Sequence, residues 1–209
     1  MMTWMEVVRM KHSFAVVSFA TLLISCNLQP DNPLIGAARS GNTQAIATLL
    51  AGGADPNQRW GVNSWTPLMH AIHKDQKGSV EALLAGGADM NARGGSQGVT
   101  ALIMAAGYGY TGIVQLLLEK GADPRAETAD GDSALAAAVT GVPDIDKFTV
   151  GHCQTSTVAA LLKKAPDLKL KDNFYGRAAR LAARAAGCAA VVSLIEQAER
   201  KERTTRGRV

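Results

Sequence analysis

Leu83-Leu84-Ala85-Gly86-Gly87-Ala88-Asp89 repeats Leu49-Leu50-Ala51-Gly52-Gly53-Ala54-Asp55 after an interval of 34 residues, and returns 34 residues later as Leu117-Leu118-Glu119-Lys120-Gly121-Ala122-Asp123. A fixed period of this size marks an array of small units. Each unit stacks on its neighbours to bury a continuous core. Such an array leaves one long surface for binding, whereas a catalytic pocket has to be added separately. The period therefore predicts a binder.

Upstream of each copy lies a second recurring phrase: Asn32-Pro33-Leu34-Ile35-Gly36-Ala37-Ala38, Thr66-Pro67-Leu68-Met69-His70-Ala71-Ile72 and Thr100-Ala101-Leu102-Ile103-Met104-Ala105-Ala106. These read as helix starts. Proline is tolerated in a first turn because its missing N–H would have no partner there, and the preceding Thr can cap that turn. A second helix follows, with Ile46 and Leu49-Leu50, Val80 and Leu83-Leu84, or Val114 and Leu117-Leu118 on one face. Gly53, Gly87 and Gly121 end these helices, since glycine accepts the left-handed conformation. Each unit is helix, turn, helix, extended loop.

At these residues the chain resembles the ankyrin-repeat family, whose signature is Thr-Pro-Leu-His-x-Ala-Ala followed by a leucine run and Gly-Ala-Asp. Two weaker units continue the array, Ser133-Ala134-Leu135 to Ala165-Pro166-Asp167, and Arg177 to Ile195. The resemblance covers roughly 31–198. It implies an all-α solenoid of about five helix-turn-helix units with extended inter-repeat loops, at about 31–60, 61–94, 95–129, 130–172 and 173–198. The fourth unit carries an insertion of about ten residues. The signature His is missing from every copy, with Ile35, Met69, Ile103, Ala136 and Arg180 read in its place. That removes a polar link between loops. An apolar substitute is tolerated there if the position is buried.

The first residues differ in kind. Arg9 and Lys11 precede an apolar run from Phe14 to Ile24, which is about half the ~20 residues a membrane-spanning helix needs. This reads as an export signal over 1–25. Leu23-Ile24-Ser25-Cys26 resembles the lipobox of bacterial lipoproteins, which implies lipidation of Cys26 and a short tether at 26–30. The alternative is an ordinary signal peptide with an incidental cysteine, and Met10 is a more typical start than Met1. The expected location is periplasmic, lipid-anchored, with Asn27 favouring the outer membrane.

The chain carries 22 basic and 18 acidic side chains. Beyond residue 25 the balance is 20 to 17, and the 199–209 tail holds five of the basics against two acids, so the body is neutral. A nucleic-acid protein would carry a basic stripe on its folded face with aromatics to stack bases, and no nucleic-acid partner is expected. The tail reads as a frayed, solvated end, with contact to anionic lipid as the alternative. Arg177, Arg180 and Arg184 lie along one side of the last unit's first helix and read as the polar outer face of a terminal cap.

Catalytic and metal motifs are weak. Gly107-Tyr108-Gly109-Tyr110-Thr111-Gly112 has the letters of a dinucleotide fingerprint but follows a helix instead of a strand, so its glycines read as a bend. His70 and His73 with Asp75 are too few for a metal site, and Asp144 and Asp146 lack the rest of a calcium loop. No enzyme activity, cofactor or metal is expected. Cys153 and Cys188 precede the second helices of adjacent units. Equivalent atoms there lie ~8 to 10 Å apart, beyond the ~7 Å a disulfide allows, yet the insertion near Pro143 to Gly151 supplies slack. Disulfide and free thiols both stay open.

The resemblance implies a concave groove that grips another protein, formed by the inter-repeat loops and the exposed ends of the first helices. Mapped onto this sequence, the groove offers Arg39 and Ser40, Trp60 and Trp65, His73 and Lys74, Tyr108 and Tyr110. Tryptophan, tyrosine and arginine dominate binding hot spots. The insertion 142–154, with Ile145 and Phe148, is a second candidate contact. The expected function is protein–protein binding in a bacterial cell envelope, either as an immunity protein occluding a toxin or as a scaffold for an envelope enzyme. Rival readings are an enzyme or metal protein around His70 and His73, and self-association through open repeat ends.

Overall fold

Ten helices in five pairs carry the described residues of the computed structural model, which are 32–141 and 153–206. The pairs are α1 (Pro33–Ser40) with α2 (Thr43–Ala51), α3 (Pro67–His73) with α4 (Lys77–Ala85), α5 (Ala101–Tyr108) with α6 (Thr111–Glu119), α7 (Ala134–Thr140) with α8 (Thr155–Lys164), and α9 (Phe174–Ala185) with α10 (Ala189–Arg206). Odd-numbered helices pack on one another in sequence to form an inner layer, and even-numbered helices form an outer one. The result is an all-α solenoid. No described helix is long and apolar enough to cross a membrane.

Local chemistry sets the starts of the inner helices. Thr66, Thr100, Ser133 and Asn173 each turn a side-chain oxygen back to accept from the backbone N–H of Met69, Ile103, Ala136 and Gly176. This satisfies one of the donors a helix N-terminus leaves without a partner. Helices α5 and α7 are lined with buried alanines, Ala105, Ala106, Ala137 and Ala138 among them, and these short side chains let inner helices approach closely. Leu68, Leu102 and Leu135 point into the core with Val80, Leu83, Val114, Leu117, Val158 and Leu161 from the outer layer. The outer helices turn out into left-handed Gly53, Gly87 and Gly121.

The missing signature His is replaced twice over. Ile35, Met69, Ile103 and Ala136 are all buried, and the polar links between loops come from elsewhere. Asn57 accepts from Asp89 N–H at 2.7 Å and Asn91 from Asp123 N–H at 3.3 Å. Arg59 Nη1 donates to the Arg93 carbonyl, and Arg93 Nη1 donates to the Glu127 carbonyl at 2.6 Å. Each Arg also holds its own finger, through Ser64 O at 3.3 Å and Gly98 O at 3.2 Å. The ladder ends in the Arg125–Asp167 fork and the Lys171–Glu127 pair.

The fifth unit departs from its sequence reading. Asn173 caps α9, so the signature-His position there is Gly176, and Arg180 lies a turn further on. The cause is a shortened loop. Asp55 to Thr66 and Asp89 to Thr100 span eleven residues, but Asp167 to Asn173 spans six. The first three loops each fold into a finger closed by an antiparallel bridge, Trp60 with Trp65, Gly94 with Val99 and Glu127 with Ser133. The shortened loop carries no such bridge among the described residues. A side chain at Gly176 would place its Cβ 1.9 Å from the Lys171 carbonyl oxygen, so the loop closes directly onto bare backbone.

The end of the stack also differs. Arg180 bonds Leu170 O at 2.6 Å and Glu199 at 3.0 Å, and Arg177 pairs with Asp172. Between them, however, Phe174 and Leu181 stand out at 72% and 67% exposure. The outer face is therefore not simply polar. Helix α10 runs on to Arg206, through most of the segment read as a frayed tail.

Cys153 and Cys188 form a disulfide with Cα atoms 5.4 Å apart. Cys153 leads into α8 and Cys188 into α10, and these two helices pack on each other. The bond fastens the degenerate fifth unit to the fourth. Cys26, the 1–25 leader, Asp144, Asp146, Ile145 and Phe148 lie outside the described residues.

Candidate binding groove

Trp60 and Trp65 face each other across the first finger. Their backbones exchange hydrogen bonds, Trp60 N–H to Trp65 O at 2.9 Å and the reverse at 3.2 Å, and directly opposed residues of such a pair project to the same side. Both rings are half-buried. The second finger passes close beneath Trp65. Gly94 has no side chain, and a Cβ there would meet Met69 Sδ at 2.5 Å and Trp65 Cδ1 at 3.1 Å. Gly95 N–H then donates to Asn63 O at 2.7 Å, tying finger to finger.

From Trp65 an unbroken row of rings crosses into the third unit. His70 and His73 lie 5.5 and 5.3 Å from Trp65 by ring centroids, His73 meets Tyr108 edge-on at 5.8 Å, and Tyr108 stacks on Tyr110 at 5.4 Å. A hydrogen bond of 3.0 Å joins His73 Nδ1 to the Tyr108 hydroxyl. The row is continuous because His73 ends α3, Tyr108 ends α5 and Tyr110 caps α6, and these ends stack in register.

The row sorts the sequence candidates into two kinds. His73 and Tyr108 are only 9% and 8% exposed, so they form a rigid floor and are not contact residues in their own right. Trp60, Trp65, Lys74 and Tyr110 are half-buried, and Arg39 is exposed at the end of α1. These five offer the reachable surface. Sequence reasoning placed His73 and Tyr108 on the rim because helix spacing gives position along the axis but not depth. It weighed His70 only as a metal ligand, whereas its ring packs on Trp65.

Arg39 and Lys74 both act on the His70 ring. Burial lowers the His70 pKa to about 4, and Arg39, His73 and Lys74 push it the same way, while a backbone hydrogen bond with Trp60 opposes them. His70 is therefore a neutral imidazole at pH 7, with Nε2 buried and unbonded. Arg39 and Lys74 supply the cationic edge. The bend at 107–112 has Gly107 inside α5, Gly109 at φ 76° closing that helix and Gly112 inside α6, with Gln154 donating to the Gly107 carbonyl at 3.2 Å. It is a turn between helices.

A family model described as ankyrin repeats (3 copies) matches residues 10–94 and 79–172, most of the chain. The chain belongs to the ankyrin-repeat family. Its stacked ankyrin units make it a protein–protein interaction module. No curated protein matches it. Within an ankyrin stack, the fingers and inner-helix ends described above are the parts that adjacent units align into a single face.

Proposed function

We propose that this chain is an exported, lipid-anchored bacterial envelope protein that binds another protein through the Trp60–Tyr110 face. The observation that carries the binding reading is the continuous ring row, with its buried floor and its cationic edge at Arg39 and Lys74. A face fixed in advance loses little side-chain entropy on binding. The complementary surface is apolar with an acidic border. Export is supported by the leader, with Arg9 and Lys11 before the Phe14 to Ile24 run and the lipobox-like Leu23-Ile24-Ser25-Cys26. The Cys153–Cys188 disulfide agrees, because such bonds persist in oxidising compartments. On this reading Cys26 carries the lipid, and the protein works by rigid presentation without chemistry of its own.

The test is a cross-linked pull-down from the native envelope, comparing the wild type with an Arg39→Glu, Trp60→Ala, Tyr110→Ala variant that leaves the buried floor intact. Enrichment of one protein, lost in the variant, is the expected result, and its identity separates the immunity from the scaffold role. Unchanged capture by the variant overturns the groove reading. Mass measurement of the N-terminal peptide from the same preparation reads the lipid separately. An acylated Cys26 at the N-terminus is expected, and an unmodified Cys26 overturns the anchor.

A further inference from the structure

In the sequence, the chain's whole excess of positive charge falls in its last 37 residues. Residues 173–209 hold eight Lys and Arg against three Glu, and the 172 residues before them hold 14 basic and 15 acidic side chains, out of totals of 22 and 18. The same end carries an apolar stripe. Phe174, Ala178, Leu181 and Ala185 recur at helical spacing along α9, on the side away from the buried Gly176, Ala179 and Ala183. Phe174 and Leu181 are the two exposed large apolar side chains of this unit. Arg177 and Arg184 border the stripe three residues after each of them, and both are exposed.

Helix α10 packs beside α9. It runs antiparallel to α9, with Glu199 abreast of Arg180 at 3.0 Å. Its further turns run on to Arg206. At ~1.5 Å per residue those turns span about 10 Å. Protruding Phe and Leu side chains bordered by arginine form the pattern of a surface that seats between lipid headgroups. Arginine beside the stripe meets phosphate, and the rings and leucine enter the acyl boundary.

We infer that the α9–α10 end of the solenoid docks on an anionic phospholipid surface, independently of the lipid at Cys26 and of the groove. The occupant is a bilayer and not a protein, because the two large apolar side chains protrude from α9 beside the exposed Arg177 and Arg184. A protein hot spot instead fills a pocket. Lipid docking at this end turns a single tether into two-point attachment, which orients the groove relative to the membrane.

The test uses the full chain with Cys26→Ser, so that no acyl chain contributes, and reads the ratio of vesicle binding with and without about one-third phosphatidylglycerol in phosphatidylcholine. Because the leader is present in every sample, only this ratio is informative. We expect it to be about tenfold, to fall as salt rises, and to be lost in Phe174→Ser, Leu181→Ser and in Arg177→Glu, Arg184→Glu. Circular dichroism of each variant checks that the exposed substitutions leave the fold intact. If Arg39→Glu, Lys74→Glu lowers the ratio while the α9 variants do not, the proposal is overturned. A ratio near one for the wild type overturns it as well, as does capture by this face of an acidic protein without any preference for anionic vesicles.

Discussion

Gly176 and Gly36 make a direct comparison at the residue scale, because both lie inside inner helices. A Cβ at Gly176 would overlap the Lys171 backbone, which cannot swing aside, whereas a Cβ at Gly36 meets nothing within 4 Å. Gly176→Ala should therefore destabilise by about 3 kcal/mol or more, and Gly36→Ala should stabilise by about 0.5–1 kcal/mol. Urea unfolding of the two variants checks both signs. Two titrating groups give a further residue-scale prediction. Burial raises Asp132 to about 6, against a backbone hydrogen bond at Ser133 that lowers it, and its buried Oδ1 has no partner. The folded state thus holds this proton more tightly than the unfolded chain. The stability Asp132 contributes is present below about 3.8 and is lost as pH rises through about 6. His70 runs the other way. Its pKa falls from 6.5 to about 4, so stability is full above 6.5 and drops as pH falls toward 4. The two slopes oppose each other between those values. Asp132→Asn should make stability rise more steeply from pH 4 to 6 than in the wild type, and His70→Gln should make it fall over the same range. Identical pH profiles for all three proteins would show that neither group carries its shift.

At the scale of elements, the loops are held by arginine and asparagine where the family signature uses histidine. Arg93 reaches two carbonyls, Gly98 O in its own finger and Glu127 O in the next. Arg93→Ala should cost about 1 kcal/mol. Arg93→Lys should recover only part of that, because an ammonium lacks the planar fork that spans both acceptors. Denaturant midpoints of the pair decide this. The disulfide joins the fourth and fifth units across a sequence separation of 35. The chain-entropy estimate for such a loop is about 4 kcal/mol. Cys153→Ala, Cys188→Ala should lower stability by that order, and reduction of the wild type should match the double variant. If the reduced protein unfolds at the same urea concentration as the oxidised one, the bond does not stabilise this fold.

At the scale of the whole molecule, each unit touches only its neighbours, so stability is a sum of unit and interface terms. The fifth unit has lost its finger, keeps a small inner core of Gly176, Ala179 and Ala183, and is held by the Arg180–Glu199 pair and the disulfide. It should open first. Hydrogen exchange should find amides of α9 and α10 exchanging before those of α5, whose eight residues are all buried. Addition of reductant should widen that gap, since it releases the fifth unit while leaving the central units as they were.

The sequence by itself determined the period, the paired helices, the caps at Thr66 and Thr100, and the family. These rest on local chemistry and on spacing, which a linear reading contains. It also brought Trp65, His73, Tyr108 and Tyr110 together as candidates, because equivalent positions of stacked units must align. Tertiary structure decided depth, register and pairing. His73 and Tyr108 became floor because they pack on each other across 35 positions, between Trp65 and Tyr110. The fifth unit's register moved to Gly176 because a shortened loop had to close on backbone. The Cys153–Cys188 pairing depended on how α8 and α10 approach, and the exposure of Phe174 and Leu181 on how α9 packs. Each of these is a property of neighbours in space, and the order of residues along the chain does not specify it.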